Sequence, residues 1–425
     1  MLSTLKNAWK VAETRKQIIF TILMMVVLRL GNALPIPFAN IELIRQIYQG
    51  AAGSLLSILN MISGGGLATL SVLALGVGPY ITSSIVVQLL TFAIPQLEEL
   101  SKEGEEGRKK IGQITKYLGL ALAVLQAFAM VQGIFGRAFA SGGALEKAIA
   151  ILVMVAGAQF VVWIGDLITD HGVGNGVSFV IFMGIVAGMP GHFYALIQGA
   201  IARTLGWYIP LIFIAIFIAI TVVVVILNEG ERKLPVQYAK RVVGRKMYGG
   251  QATHIPIKVN MAGVLPIIFA SALLAMPQTF ALIFGGGVQR FVQQFLTPQG
   301  WIGFIIRGIF QVVLIIFFAY FYNSIQFNAY EYSRNLQQSG GFIPGIRPGK
   351  PTTDYLQRIV SRITLVGAII LAVLSIIPEL VAQVFHINLG FGGTSIIIVV
   401  GVVLETIRAL EARLQLRHYK GFLNR

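Results

Sequence analysis

The chain has 425 residues, of which 56% are hydrophobic and only 12% are charged, and its mean hydropathy is +0.78. Because soluble domains carry about 25% charged residues, these values exclude a soluble globular protein and indicate an integral membrane protein. The net charge is +16, and the absence of cysteine excludes a disulfide framework and any cysteine-based metal or redox site.

The first predicted element is an apolar run from Ile18 to Leu28. Lys6 and Lys10 precede it, as in a secretory signal peptide. Arg29 and a proline-containing turn at 35–37 follow it without a small-residue cleavage site, so we predict a retained membrane span. The residues before this span form either a basic interfacial helix or a frayed terminus.

The stretch from Ser54 to Leu90 contains two consecutive apolar segments, and only the second is long enough to cross the membrane. Residues 54–63 are helical in composition, but at about 1.5 Å per residue they cover only about half of a 30 Å hydrocarbon core. Three glycines then interrupt the helix, at Gly64, Gly65 and Gly66. A second apolar segment from about residue 70 to 90 is long enough to cross. Irregular backbone at membrane depth needs surrounding protein or a water-filled cavity, so we predict that this segment lines a central cavity.

Apolar segments predict ten membrane spans, at about 18–38, 70–91, 117–136, 149–168, 177–190, 207–228, 262–283, 304–325, 363–383 and 392–409. The fifth span is short and closes at Pro190, and glycines open the tenth. Short or interrupted segments in both halves are typical of two five-helix repeats of opposite topology around a central site. We therefore predict an all-α integral membrane protein with ten transmembrane helices in two inverted halves. The predicted divisions are an N-terminal segment at 1–17, an N-terminal half at 18–206, a C-terminal half at 207–410 and a tail at 411–425.

Most of the 33 Lys and Arg residues lie on the same side of the predicted membrane as the N-terminus. The positive-inside rule then places both termini in the cytoplasm. The same topology explains most of the high net charge, so we prefer it to an interaction with nucleic acid as the explanation.

Two large loops on this side, at about 228–260 and 326–360, hold more basic residues than topology requires. These residues are Arg232, Lys233, Lys240, Arg241, Arg245 and Lys246 in the first loop and Arg347 and Lys350 in the second. The first loop also has the composition of an ordered hairpin. Both loops are either solvated positive-inside loops or a docking surface for an acidic or phosphate-rich partner such as a ribosome.

Enzyme chemistry has little support in the sequence. The chain has neither a GxxxxGK[ST] phosphate loop nor an HExxH zinc motif, and its five histidines are scattered. Asp166 and Asp170 share a helix face, but we interpret them as part of a polar turn in which Asp170 or Asn175 caps the next helix. We therefore predict no enzyme activity, metal or cofactor. The spans are also almost without the mid-membrane acidic groups expected of an ion-coupled transporter.

The residues expected to face the central cavity at mid-span are isoleucines. They are Ile81, Ile85, Ile181, Ile185, Ile268 and one of the three isoleucines at 396–398. Lipid contact or ordinary core packing explains any one of them. A convergent set would form an apolar constriction that closes a pore to ions by excluding water.

Five motifs in the chain resemble the signatures of the SecY family, the channel subunits of the bacterial protein translocase. The motifs are SVLALGVGPYITSSIVVQLL at 71–90, WIGDLITDHGVGNGVS at 163–178, NEGERKLPVQYAKR at 228–241, HIPIKVNMAGVLP at 254–266 and FIPGIRPG at 342–349. They are long and specific, and they occur in the order of the family.

The resemblance implies an hourglass channel between two inverted halves, closed by a plug helix and opened sideways through a lateral gate between spans two and three and spans seven and eight. The pore ring would be Ile81, Ile85, Ile181, Ile185, Ile268 and Ile398. The plug would include Leu55, Leu56, Ile58, Leu59, Asn60, Met61 and Ile62, and Gly64, Gly65 and Gly66 would be its hinge. Gln88 and Asn260 are the expected polar contacts at the lateral gate.

The resemblance also implies the function and the partners. The channel would pass unfolded secretory polypeptides across the bacterial cytoplasmic membrane and release signal sequences and transmembrane segments into lipid. The basic loops would dock the ribosome or the motor ATPase SecA, which would supply the energy, and SecE and SecG would be companion subunits. The alternative is a secondary transporter of a small solute, which shares the inverted repeat but requires a polar or ionisable midplane site.

Overall fold

Helices form most of the protein, as a computed structural model shows for residues 6, 8–50, 60, 63, 65–139, 143–238, 241–243, 246–248, 252–284, 286–296, 300–385, 387 and 392–423. The helices are α1 (Ala12–Ala33), α2 (Ile41–Gly50), α3 (Gly78–Ala93), α4 (Pro95–Lys102), α5 (Glu105–Ala129), α6 (Ala144–His171), α7 (Gly176–Ile201), α8 (Ile209–Glu229), α9 (Leu265–Phe284), α10 (Gly286–Phe295), α11 (Trp301–Gln326), α12 (Ala329–Gln338), α13 (Lys350–Val384) and α14 (Gly393–Leu423).

Each of the ten predicted spans overlaps one helix, namely α1, α3, α5, α6, α7, α8, α9, α11, α13 and α14, although several bounds differ. Within the described ranges, eight helices are long and apolar enough to cross a membrane. A ninth crossing results if α3 and α4, which are bent by 101° at residue 94, count as one span, whereas the apolar part of α9 is shorter. The predominantly helical membrane fold is thus confirmed, and the count of ten crossings stays a prediction.

The predicted end of the fifth span is wrong. Helix α7 continues through Pro190 to Ile201, eleven residues beyond the expected end. A proline removes only one backbone donor, and a helix inside a membrane protein tolerates it because neighbouring helices and local adjustments satisfy the freed backbone group.

The second span also begins later than predicted. Helix α3 starts at Gly78, and the chain from residue 65 to 77 forms consecutive turns. Positive φ angles at Gly65, Leu70 and Gly76 interrupt any right-handed helix there. With 16 residues, α3 is about 24 Å long, so the irregular segment before it must share the crossing.

The helices of the two halves pack in the same order. In the first half, α5 packs against α3 and α6, and α6 also packs against α7 and α1. In the second half, α11 packs against α9 and α13, and α13 also packs against α14 and α8. A short amphipathic helix follows the second span of each half, α4 in one and α10 in the other. This correspondence supports a five-helix repeat, and the boundary at residue 206 stays a prediction.

The all-α description is incomplete in the two basic loops, which contain the strands β1 (Glu231–Tyr238), β2 (Arg241–Val243), β3 (Lys246–Tyr248), β4 (Ala252–Lys258) and β5 (Gly341–Phe342). Strand β1 pairs antiparallel with β4, so the first loop is a hairpin as predicted. Strand β5 of the second loop pairs with β1, with Phe342 opposite Gln237. The two loops therefore form one unit, whose buried core includes Leu234, Val236, Ile257, Leu336, Ile343 and Leu356.

Gly157 of α6 allows a close approach by the irregular segment, because a Cβ atom there would lie 1.9 Å from the backbone oxygen of Val72. We expect Gly157→Ala to push this segment away and to lower the free energy of unfolding by about 1–3 kcal/mol. The measurement is the thermal unfolding midpoint of the purified protein in detergent.

Gly112→Ala in α5 is the matched control, since no atom lies within 4 Å of a Cβ at that position. Its midpoint should stay unchanged or rise, because alanine has the higher helix propensity. Equal midpoints for the two variants would contradict the close-packing argument.

Candidate functional site

Six isoleucines from α3, α7, α9 and α14 meet in one buried cluster between the two halves. Their exposed fractions are 5% for Ile81, 1% for Ile85, 4% for Ile181, 3% for Ile185, 6% for Ile268 and 3% for Ile398. The pairs on α3 and α7 are four residues apart, so each pair shares one helix face. The structure therefore brings together all six residues of the predicted ring, and their role as a pore constriction stays a prediction.

A cavity of about 770 Å³, including the open space at its mouth, adjoins this cluster. Five ring residues line it, and Ile85 is the member of the ring that does not. The remaining lining comes from the start of α3 and the residues before it, from Gln126 of α5 and Met130 just after it, and from α9 with Ser271 and Met276. The cavity thus extends from the ring into the space between α3, α5 and α9.

The lining of this cavity contains no Asp, Glu, Lys, Arg or His among the described residues. An apolar lining suits the exclusion of water and ions better than the binding of a small polar solute. Aliphatic side chains attract any neighbouring atom by dispersion, which is non-directional, so the ring could close around an extended chain of any sequence.

The predicted plug lies mostly outside the described residues, which do not include Leu55, Leu56, Ile58, Leu59, Met61, Ile62 and the hinge residue Gly64. Asn60 is described, and it forms one hydrogen bond with the hinge and one with the chain just after it. Its backbone oxygen accepts a hydrogen bond from the amide of Gly65 at 2.8 Å, and its Oδ1 accepts one from the amide of Ala68 at 2.8 Å. Gly66 follows close to α1, where a Cβ atom would lie 2.6 Å from Oδ1 of Asn32.

The chain after the hinge is fixed to the end of α1. The backbone amide of Ile36 donates to the backbone oxygen of Leu70 at 3.0 Å, and the backbone amide of Val72 donates to the backbone oxygen of Leu34 at 2.9 Å. Ser71 is fully buried. Any movement of the predicted plug must therefore take place before residue 70, at the glycines.

Gln88 joins α3 to α11, as expected of a contact at the gate between spans two and eight. Its Oε1 accepts a hydrogen bond from the hydroxyl of Tyr322 at 2.5 Å, and its Nε2 donates to Oγ of Ser84 at 3.1 Å. One turn further along α3, Phe92 packs against Phe321 with ring centroids 5.3 Å apart. Tyr322 was not among the predicted gate residues, although a tyrosine within an apolar span is itself a signal, because its buried hydroxyl needs a partner.

Asn260 lies in a different network. Its Nδ2 donates to Oδ1 of Asn228 and to the oxygen of Gly263, both at 3.0 Å. These described hydrogen bonds stay within the C-terminal half and do not reach Gln88. The predicted role of Asn260 at the gate therefore gains no support from these contacts.

The basic residues lie in the joined loops. Arg232 and Lys233 of β1 are exposed, as are Arg347 and Lys350 in the second loop. Lys240 and Arg245 lie outside the described residues, and for Arg241 in β2 and Lys246 in β3 only the backbone is described. Two side-chain hydrogen bonds hold the second loop in place. Thr352 Oγ1 donates to the backbone oxygen of Arg347 at 2.8 Å, and Ser333 Oγ donates to the backbone oxygen of Gly349 at 2.9 Å.

The two aspartates before α7 do not form a carboxylate pair. Asp166 forms an ion pair with Lys116 of α5 at 2.6 Å. The Oδ1 of Asn175 accepts from the amide of Ser178 at 3.2 Å and caps α7, as the sequence predicted for this turn. Among the described residues, no group of three His, Cys, Asp or Glu side chains is arranged to hold a metal ion.

Tyr322→Phe removes the hydrogen bond to Gln88 and keeps the aromatic ring, so we expect α3 and α11 to separate more often. The chain has no cysteine, so a cysteine pair at positions 92 and 321 is specific. The yield of crosslinking by a short bifunctional maleimide should fall about two- to fivefold in the variant, as the loss of about 0.5–1 kcal/mol implies.

Tyr117→Phe on the exposed side of α5 is the matched control and should leave the crosslinking yield unchanged, since Tyr117 is 74% exposed. An unchanged yield in the Tyr322 variant would mean that this hydrogen bond does not hold the two helices together.

The chain is similar to known proteins in both sequence and fold. The SecY family model matches residues 71–407. The protein translocase subunit SecY of Mycobacterium tuberculosis is 43% identical over 448 aligned positions that cover both chains completely. A solved protein-conducting channel matches 94% of this chain and 92% of its own with a TM-score of 0.67 and 18% identity. Sec61 in a canine ribosome-channel complex matches the same shares with a TM-score of 0.64 and 17% identity. At these identities the two structures show a shared fold.

Proposed function

The chain belongs to the SecY family, and we propose that its isoleucine ring is the constriction of a protein-conducting channel. The protein is a multi-pass membrane protein and the channel subunit of a protein translocase. The observation that carries the proposed role of the ring is the convergence of six buried isoleucines beside a cavity without charged lining.

The ring would close the resting channel and open when a polypeptide enters it. Each buried isoleucine contributes about 1.5–3 kcal/mol when it is removed from water, so the closed ring is favourable and excludes ions. An extended polypeptide replaces the contacts between the ring residues with contacts to itself. Because the side chains are flexible and their contacts are non-directional, this exchange requires no particular client sequence.

The plug and the lateral gate would control two routes out of the ring. The predicted plug at 54–63 would pivot at Gly64 to Gly66, since the chain after Ser71 is fixed to α1. The gate would open by parting α3 and α5 from α9 and α11, which breaks the contact between Gln88 and Tyr322. A signal sequence or a transmembrane segment would then pass into lipid, where its apolar side chains are favoured.

The energy for movement would come from partners that dock on the joined basic loops. The exposed residues Arg232, Lys233, Arg347 and Lys350 suit an acidic or phosphate-rich surface. We propose SecA and the ribosome as these partners, SecE and SecG as companion subunits, and the bacterial cytoplasmic membrane with both termini inside as the location. The chain itself would then be no enzyme.

Transport of a small solute is not supported. Such a transporter requires a compact polar or ionisable midplane site, and the described lining of the central cavity is uncharged. The relatives are protein translocase subunits.

Photocrosslinking tests the ring directly. We expect a photoreactive residue at position 81 to crosslink to successive positions of a stalled secretory chain, with SecA and SecE supplied. Position 85 should crosslink less, because Ile85 does not line the cavity. The measurement is the yield of client adducts on a gel.

Position 222 on α8 is the control, since Val222 is 50% exposed on a surface expected to face lipid. Client adducts should be absent there. If position 81 labelled only lipid while the client was translocated, the ring assignment would be wrong.

Charge reversal tests the docking surface. We expect Arg347→Glu to weaken the binding of SecA to channel-containing vesicles by roughly two- to tenfold, with a smaller effect at high salt because exposed charges are screened. The measurement is cosedimentation at two ionic strengths.

Arg137→Glu makes the same charge change at an exposed residue on the opposite predicted side of the membrane. It should leave SecA binding unchanged. Equal weakening by both variants would point to a general charge effect and would refute the assignment of Arg347.

A further inference from the structure

Helix α14 holds the base of the hairpin formed by β1 and β4, which we define as residues 228–230 and 259–264. A guanidinium nitrogen of Arg408 donates to the backbone oxygen of Asn228 and lies 3.0 Å from Oε1 of Glu229. Asn228 is in the last turn of α8, where the helix dipole favours a positive charge. The side chain of Glu229 is 54% exposed, so its ion pair with Arg408 contributes little by itself.

Glu405, one turn before Arg408, holds the other end of the hairpin. Its carboxylate accepts a hydrogen bond from the backbone of Val264. It also packs against Gly263, where a Cβ atom would lie 2.5 Å from Oε1 of Glu405. Two neighbouring side chains of α14 thus hold both ends of the hairpin.

The two ends of the hairpin are also bonded to each other. The amide of Val259 donates to the oxygen of Gly230 at 2.9 Å, and Asn260 donates to Asn228 at 3.0 Å. The base therefore moves as one unit, and movement of the hairpin is passed to the residues that α14 contacts.

A continuous strip of contacts leads from this base to the ring. Ile398 lies seven residues before Glu405 on α14, which is two turns along the same face. Between them, Gly401 packs so closely against Val264 that a Cβ atom would lie 1.9 Å from its Cγ1. Val264 itself lies one turn before Ile268, so the strip ends at two ring residues. One of them, Ile398, lies about 15 Å from Arg408 along α14.

We propose that Glu405 and Arg408 are positioning residues that couple the basic hairpin to the isoleucine ring. This inference rests on the proposed function, in which a partner docks on the hairpin. A force on the hairpin would shift α14 and the start of α9 together, because close packing leaves no free space between them. Ile268 and Ile398 would then move relative to Ile81 and Ile185, and the ring would widen while the partner is engaged.

The experiment compares Glu405→Gln and Arg408→Gln with the unchanged protein in proteoliposomes that contain SecE and SecG. Two quantities are measured: the affinity of SecA for the vesicles and the amount of a secretory precursor translocated per ATP hydrolysed. We expect unchanged affinity and a loss of roughly two- to thirtyfold in translocation per ATP. Arg408→Lys, which keeps the charge at the end of α8, should recover part of the loss.

Glu99→Gln on α4 is the matched control, since it removes one exposed carboxylate and should leave both quantities unchanged. If both substitutions to glutamine translocated normally, or if they weakened SecA binding to the extent that they reduced translocation, the coupling role would be refuted. If the unchanged protein neither bound SecA nor translocated the precursor, the proposed function itself would fail. Arg408→Lys keeps the test valid if a glutamine variant does not fold.

Discussion

The structure depends on one constraint, which is that irregular backbone inside a membrane protein must find all its hydrogen bonds within the protein. Residues 65–77 satisfy this constraint with turns and with two bonds to the end of α1. Leu67, Leu70 and Ser71 are fully buried, so surrounding helices exclude lipid from this segment. Gly157 brings α6 into direct contact with it. The helices of the first half are therefore arranged around a segment that cannot face lipid.

This arrangement also explains why the ring lies where it does. Helix α3 begins only at Gly78, and its first turn places Ile81 opposite the isoleucines of α7, α9 and α14. The ring residues are supplied by both halves, so its diameter depends on how the halves are placed relative to each other. A rigid movement of one half against the other would change this diameter without unfolding any helix.

The contacts between the halves differ in chemistry along the predicted gate. Near the ring they are aliphatic and non-directional, whereas further along α3 Gln88 and Tyr322 form a directional hydrogen bond. Breaking a single buried hydrogen bond costs about 1 kcal/mol, which is small enough for a reversible opening. The joined basic loops follow α8 and α11. Helix α14 contacts the base of the first loop through Arg408 and contacts the N-terminal half through Arg413, which donates to the backbone oxygen of Gly172 at 3.0 Å. Helix α14 is thus the element that contacts the hairpin, the ring and the N-terminal half.

The sequence by itself determined the membrane class, the positions of the apolar helices, the glycine interruption after the predicted plug and the six isoleucines, since all of these follow from composition and local spacing. It also pointed to Gln88, but not to its partner Tyr322. Only the tertiary structure decided which helices meet, that β5 joins the two basic loops and that Glu405 and Arg408 hold the hairpin base. These contacts join residues up to 234 positions apart.

The helix ends at Gly78 and Ile201 were also not predicted, because left-handed turns and a tolerated proline depend on neighbouring helices. The local sequence shows which residues are apolar and which segments are helical. The pairing of distant side chains depends on how the helices pack, and local composition and spacing do not reveal that packing.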